Sequence, residues 1–158
     1  MKKHLFAAFA AFTATISLNG DLPQTKVADP TAGIEYKTQD PQELKDLHDS
    51  AIVSQRFVEL LDASEFQKGW NEASDYLRIV TPQGEWDKFM EISRKPLGGL
   101  VSRKIANQRT AKNPPNQPSG DYIVLFYDTD FANRKNAHEL VTLVKEGGEW
   151  KVYTYQVN

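Results

Sequence analysis

Residues 137–157 read AHELVTLVKEGGEWKVYTYQV. Ala137–Glu146 and Glu149–Val157 alternate in the two-residue period of strands. Gly147-Gly148 between them is the two-residue turn of an antiparallel hairpin. A hairpin this late in the chain calls for more strands beside it, and the upstream sequence supplies them. Tyr122–Phe131 (YIVLFYDTDF) is dense in β-formers. Residues 111–120 (AKNPPNQPSG) are a proline-rich loop, and Leu100–Thr110 before it is another strand.

Upstream of Pro96 the period becomes helical. Asp40-Pro41-Gln42-Glu43 is a helix start: an acidic N-cap, proline at the first position and a glutamate placed for a capping box. Leu44, Leu47, Ala51, Val58 and Leu61 fall mostly on one stripe, which predicts a helix to about Leu61. Ser64 with Gln67 signals a second start. Phe66, Trp70, Ala73, Leu77 and Val80 then line a single helical face. Thr81-Pro82 opens a shorter third helix carrying Trp86, Phe89 and Met90, which Pro96 stops.

Three helices followed by three to four antiparallel strands indicate an α+β domain over residues 40–158. A curved sheet wrapped on a long helix gives a cone-like fold, of the nuclear-transport-factor-2-like or cystatin-like kind by analogy. Within Tyr122–Phe131, Tyr122, Val124 and Phe126 share one face, and Ile123, Leu125 and Tyr127 share the other. A half-solvated sheet would alternate apolar with polar, so something must cover the second face. The two candidates are a homodimer contact and the aperiodic residues 21–39, read as a linker or docked arm.

Residues 1–20 (MKKHLFAAFAAFTATISLNG) pair the basic start Lys2-Lys3 with an uncharged run of 14 residues from Leu5 to Leu18. A membrane-spanning helix needs about 20 apolar residues, so the run is short for a span. The layout is that of a secretory signal peptide cleaved near Gly20, and it predicts a periplasmic or secreted protein. Its removal takes Lys+Arg from 19 to 17 against 21 Asp+Glu, a net charge of −4. Such a balance offers nucleic acid no basic footprint. The 158 residues contain no cysteine, which excludes disulfides, thiolate metal sites and a cysteine nucleophile.

Chemistry-bearing residues are few. After His4 leaves with the leader, His48 and His138 remain, without metal-ligand spacing, so no metal and no cofactor is expected. His48 lies on a charged helix face and reads as solvated. Asp128-Thr129-Asp130 is a weak D-x-D pattern in which both carboxylates share a strand face, and it reads chiefly as turn chemistry. Ser102 lacks the flanking glycines of a nucleophile elbow. Tyr122 and His138 are weak pocket candidates with Asp128. Arg103 and Glu139 are the main candidates. Arg103 shares a face with Val101 and Ile105, and Glu139 shares one with Val141 and Leu143. Charges on apolar faces must be paired, neutralised or functional. The pair is therefore either a structural salt bridge between strands or the polar floor of a pocket.

Several phrases together resemble one bacterial family. They are Phe57–Asp62 (FVELLD), Trp70 with Ala73, Arg94-Lys95-Pro96-Leu97-Gly98 leading to Ser102-Arg103, and Pro118 with Gly120-Asp121-Tyr122. Further on come Thr129-Asp130-Phe131-Ala132-Asn133, Glu139-Leu140-Val141-Thr142-Leu143, and Gly148-Glu149-Trp150-Lys151-Val152 with Tyr155. The chain resembles the family of domains of unknown function 4019. The resemblance implies a short exported domain and supplies no reaction. One departure is Thr154, where the family pattern leads to a glycine before Tyr155. The expected role is binding or assembly in the bacterial envelope, with an envelope protein or small ligand as partner. The competing class is a small-molecule enzyme or ligand-binding protein using the cone as its pocket.

Overall fold

The computed structural model describes residues 29–31 and 38–158. The leader at 1–20 and most of the stretch 21–39 lie outside them. The helices are α1 (Pro41–Asp62), α2 (Phe66–Asn71), α3 (Asp75–Val80) and α4 (Gln83–Phe89). From α4 the chain runs without a break through a π-helical turn, Met90–Arg94, and a 3-10 turn, Lys95–Leu97. The strands are β1 (Leu100–Lys112), β2 (Asp121–Phe131), β3 (Arg134–Glu146) and β4 (Glu149–Val157). They form one antiparallel sheet in the order β1-β2-β3-β4. The α+β class and the four strands are as the periodicity predicts.

The helical layer departs from three helices packed on the sheet. α1 packs across all four strands, whereas α2 lies on α1 and α4, and α3 meets β4. The single helix expected from Ser64 to Val80 is two short helices. Ser64 takes a positive φ of 59° and caps nothing. Ser74 instead starts a new helix, its hydroxyl accepting the Leu77 N–H at 3.2 Å. A serine N-cap offers the backbone an alternative to continuing the previous helix. The shared stripe then breaks, and Val80 is exposed while Leu77 is fully buried. At α1, the Asp40 carboxylate accepts the Gln42 and Glu43 N–H groups at 2.7 and 3.2 Å. The box stays half-made, because Glu43 accepts the Thr110 hydroxyl of β1 and Thr38 accepts the Asp40 N–H.

The core lies between α1 and the inner sheet face. Leu47, Ala51, Phe57, Val58 and Leu61 meet Ile123, Leu125, Tyr127, Val141, Leu143, Val152 and Tyr155, with Trp86 and Met90 closing one end. Trp70 packs against this core, partly buried, and donates its indole N–H to the Thr81 carbonyl at 2.8 Å. Gly147 and Gly148 have φ of 60° and 88°, the two positive angles a tight hairpin turn needs.

Part of the second sheet face is covered from within the chain. Tyr76 of α3 stacks on Tyr153 with ring centroids 4.6 Å apart, and Tyr153 meets Tyr122 edge-on at 5.2 Å. Tyr122 and Tyr153 hold the proline-rich loop by donating to the Pro118 carbonyl and to Gln117. Tyr122 is thus a packing residue of this outer cluster. Arg109 lies over the Phe126 ring at 5.1 Å. Thr154 faces Thr142 across the β3–β4 pair beside a bulge, half-exposed.

Candidate functional site

The sequence places a charge at the end of each of two apolar stripes. Asp62 follows Val58 by four residues on α1, and Arg94 follows Met90 by four in the π-helical turn. On the sheet, Arg103 of β1 pairs in register with Thr129 of β2, and Glu139 of β3 lies opposite Tyr127 and Val157. These charges meet at one end of the core.

Arg103 is the centre. Its Nε donates to Glu139 Oε2 at 2.6 Å and its Nη2 to Glu139 Oε1 at 3.3 Å. Its Nη1 and Nη2 donate to the two oxygens of Asp62 at 2.6 and 2.9 Å. One guanidinium therefore grips two carboxylates, each through a fork of two bonds. Arg94 donates to Asp62 Oδ1 at 2.6 Å and to the Gly98 carbonyl at 3.0 Å. Its guanidinium lies 4.2 Å over the Phe131 ring centroid. Glu139 also accepts the Thr129 hydroxyl and the Tyr155 hydroxyl, each at 2.6 Å. The Glu139 side chain has no exposed surface, and those of Arg94 and Arg103 are 4% and 8% exposed. Two cations and two anions are thus buried together with balanced charge.

The electrostatics follow from that packing. Burial opposes the charge on Arg103, and the Asp62 hydrogen bonds with the Glu139 charge more than offset it, so the guanidinium holds its proton more tightly than ordinary arginine. Burial pushes the Tyr155 phenol well up, and the adjacent Glu139 charge pushes it further. Tyr127 beside it is raised by burial and exchanges a 2.7 Å hydrogen bond with Ser54.

Local backbone geometry aims Arg94. The segment after the π-helical turn is pinned to the β2–β3 turn: the Asn133 N–H donates to the Leu97 carbonyl, the Asn133 amide to the Pro96 carbonyl, and the Ala132 N–H to the Gly99 carbonyl. Gly98 has φ of 80°, and a Cβ there would lie 3.0 Å from the Asn133 amide. A π-helical turn shifts the side chains after it relative to an α-helix. Here it brings Arg94 under the sheet.

The candidates named from sequence separate into two places. Arg103 and Glu139 meet, as a pair inside a larger network. Asp128 and His138 lie on the other face of the sheet, 43% and 67% exposed, with His138 Nδ1 3.3 Å and Lys104 Nζ 3.2 Å from Asp128. They line an open depression of about 450 Å³ with Ser102 and Asp130. Asp130 accepts the Asn136 N–H at 2.8 Å, which is turn chemistry. Tyr122 belongs to neither place. Among the described residues no group of three His, Asp or Glu side chains is set to hold a metal. Asp62, Arg94, Thr129 and Tyr155 were missed as site residues. Two of them, Asp62 and Arg94, carry the signal of charge on an apolar helical stripe.

A cleft of about 380 Å³ opens beside the network, between α1 and β1. Gln55, Val58 and Glu59 form its α1 wall, and Leu100, Lys104 and Ile105 its β1 wall, with Arg103 and Tyr127 also lining it. Asp29 and Pro30 border it, and the neighbouring Thr31 hydroxyl lies 3.3 Å from His48 Nδ1 on α1.

In fold and site this is a small α+β domain whose sheet and long helix are locked by a buried four-charge network. The family described as "protein of unknown function (DUF4019)" matches residues 53–155, and the chain belongs to that family. The phrases that carry the resemblance supply Asp62, Arg94, Arg103, Thr129, Glu139 and Tyr155. No curated protein and no solved structure matches the chain.

Proposed function

We propose that the protein is an exported binding or assembly module of the bacterial envelope. Its working surface is the cleft between α1 and β1. The observation that carries this reading is how the network is spent. The buried carboxylates and guanidiniums bind one another, with Thr129 and Tyr155 completing Glu139. Such a network fixes geometry, and it commits the buried acids and bases of the described residues to one another. The basic start and short apolar run of residues 1–20 support export to the periplasm or beyond. The long helix across four antiparallel strands supports a cone-like, nuclear-transport-factor-2-like or cystatin-like architecture. Residues 21–39 act as a linker or arm, and the docking of Thr31 on His48 supports the latter.

Intact mass of the protein from envelope fractions tests export: loss of about 20 residues is expected. A cytoplasmic protein retaining Met1 would overturn it. Binding at the cleft is tested by thermal-shift screening of small polar compounds against the parent and Gln55→Trp. Stabilisation of the parent alone supports the site, and none in either refutes it. Turnover of a cleft ligand would instead establish the enzyme reading. The outer face gives a second reading of assembly. Val124, Phe126 and Leu140 remain only half-buried there, which favours a homodimer over that face.

A further inference from the structure

The two edges of the sheet are treated differently. β4 is nine residues long and its edge is attended: the Ser74 N–H donates to the Val152 carbonyl at 3.4 Å, and α3 packs on the strand. β1 is thirteen residues long, mostly exposed, and pairs with β2 alone. Among the described residues its main-chain groups bond to the main chain of β2 alone, while the Gln108 side chain reaches inward to the Leu47 carbonyl and Ser50 of α1. A long uncovered edge is a template for another strand, which folded domains ordinarily shorten or cover. The 380 Å³ cleft runs along the same strand, at Leu100, Lys104 and Ile105.

Charge selects the occupant. Outside the buried network β1 carries Lys104, Arg109 and Lys112 and no acid. On its paired side the sheet sets base against acid: Lys104 lies 3.2 Å from Asp128 and Lys112 3.5 Å from Asp121, both of β2. A second copy pairing β1 with β1 would set bases against bases, and like charges directly opposite destabilise a strand pair. An acidic strand would repeat on the open edge the complementarity already present on the β2 side. Lys104 and Lys112 side chains, 75% and 78% exposed, are available to it.

We propose that the open edge of β1 binds an extended, acidic peptide segment of another protein by strand addition, with alternate side chains of that segment entering the α1–β1 cleft. Main-chain hydrogen bonds supply the affinity in this mode and the pockets supply the selection. The proposal rests on the reading of the domain as a binding module and names its partner class.

The test uses the full chain and a peptide of roughly ten residues, about one strand in length, alternating glutamate with threonine and valine. Fluorescence anisotropy measures binding, and amide hydrogen exchange locates it. The acidic peptide is expected to bind and to slow exchange within Leu100–Lys112. Its lysine counterpart is expected not to bind. The variant Lys104→Glu/Arg109→Glu, both positions outside the buried network, should weaken the acidic peptide at least about tenfold and admit the lysine one. A peptide N-methylated at alternate amides should lose at least about tenfold even against the parent, because its ladder donors are gone. Absence of binding, or binding with no protection of β1, overturns the proposal. Protection of β1 without peptide, rising with protein concentration, overturns it in favour of a second copy. If the peptide fails while a small compound still stabilises the parent and not Gln55→Trp, the partner class is wrong and the binding-module reading stands.

Discussion

The Arg103 Nε lies 2.6 Å from Glu139 Oε2, in a setting where the Glu139 side chain has no contact with water. The pair is one edge of a network, since Asp62 takes the other side of the same guanidinium. Burying two charges costs several kcal/mol each, so such a pair is weak evidence of net stabilisation. Breaking it is another matter.

Glu139→Ala should destabilise the domain by about 3–5 kcal/mol, the range for an uncompensated buried partner. It strips Arg103 of one carboxylate and removes the acceptor to which the Thr129 and Tyr155 hydroxyls donate. Asp62→Ala should cost at least as much, because Asp62 serves both Arg94 and Arg103. A double-mutant cycle on Arg103 and Glu139, measured by urea unfolding, should give a coupling of about 2–3 kcal/mol. Single variants as stable as the parent would show that the pair is solvated.

Stability should fall as pH rises above about 10, where unfolded tyrosine titrates. Tyr127 and Tyr155 keep their protons in the folded state beyond that point, because burial raises both. The unfolded chain then binds fewer protons than the folded one, and stability declines with pH. Tyr155→Phe should flatten this alkaline limb. At neutral pH it should cost roughly 2 kcal/mol, since Glu139 loses a charge-assisted donor. Chemical denaturation at pH 7 to 11 reads both effects.

At the acid end Asp46 is the group to watch. Burial opposes its charge, but hydrogen bonds from Lys145, Gln42 and Trp150 outweigh burial and hold its carboxyl below the ordinary range. Its stabilisation is present above the unfolded value near 3.9 and is lost as pH falls through the folded value. Asp46→Asn should therefore cost about 1 kcal/mol at pH 7 and progressively less in acid. An equal difference at pH 7 and pH 2 would contradict the assignment.

Gly98→Ala should destabilise by about 1–3 kcal/mol, through its positive φ and the tight approach to Asn133. Gly99→Ala is the control: its Cβ would meet nothing within 4 Å, and the change should stay within about 0.5 kcal/mol. Thermal unfolding of the two variants makes the comparison.

The strands were legible because period-two runs and Gly147-Gly148 are local signals. So was α1, whose Asp40-Pro41 start is written in adjacent residues. The break at Ser74 was not, because the stripe from Phe66 to Val80 satisfies a helical period whether or not one helix runs through it. Only the competition of Ser74 for the Leu77 N–H decides it. Arg103 and Glu139 stood out as charges among apolar same-face neighbours. Asp62 and Arg94 escaped because each closes a helix or turn, where a charged residue is ordinary. Their meeting depends on a π-helical turn that no local pattern announces.

The network also bears on the order in which the chain becomes whole. Its bonds join residues separated by 32, 36 and 41 positions, and the Tyr155 bond adds a strand beyond Glu139. A chain folded only through β2 would hold Arg94 and Arg103 against the single carboxylate of Asp62, with one positive charge in excess that has to stay in water. The partial fold is therefore penalised until β3 delivers Glu139. The last strand pair to be made along the chain is thus also the one that completes the charge balance between helix and sheet.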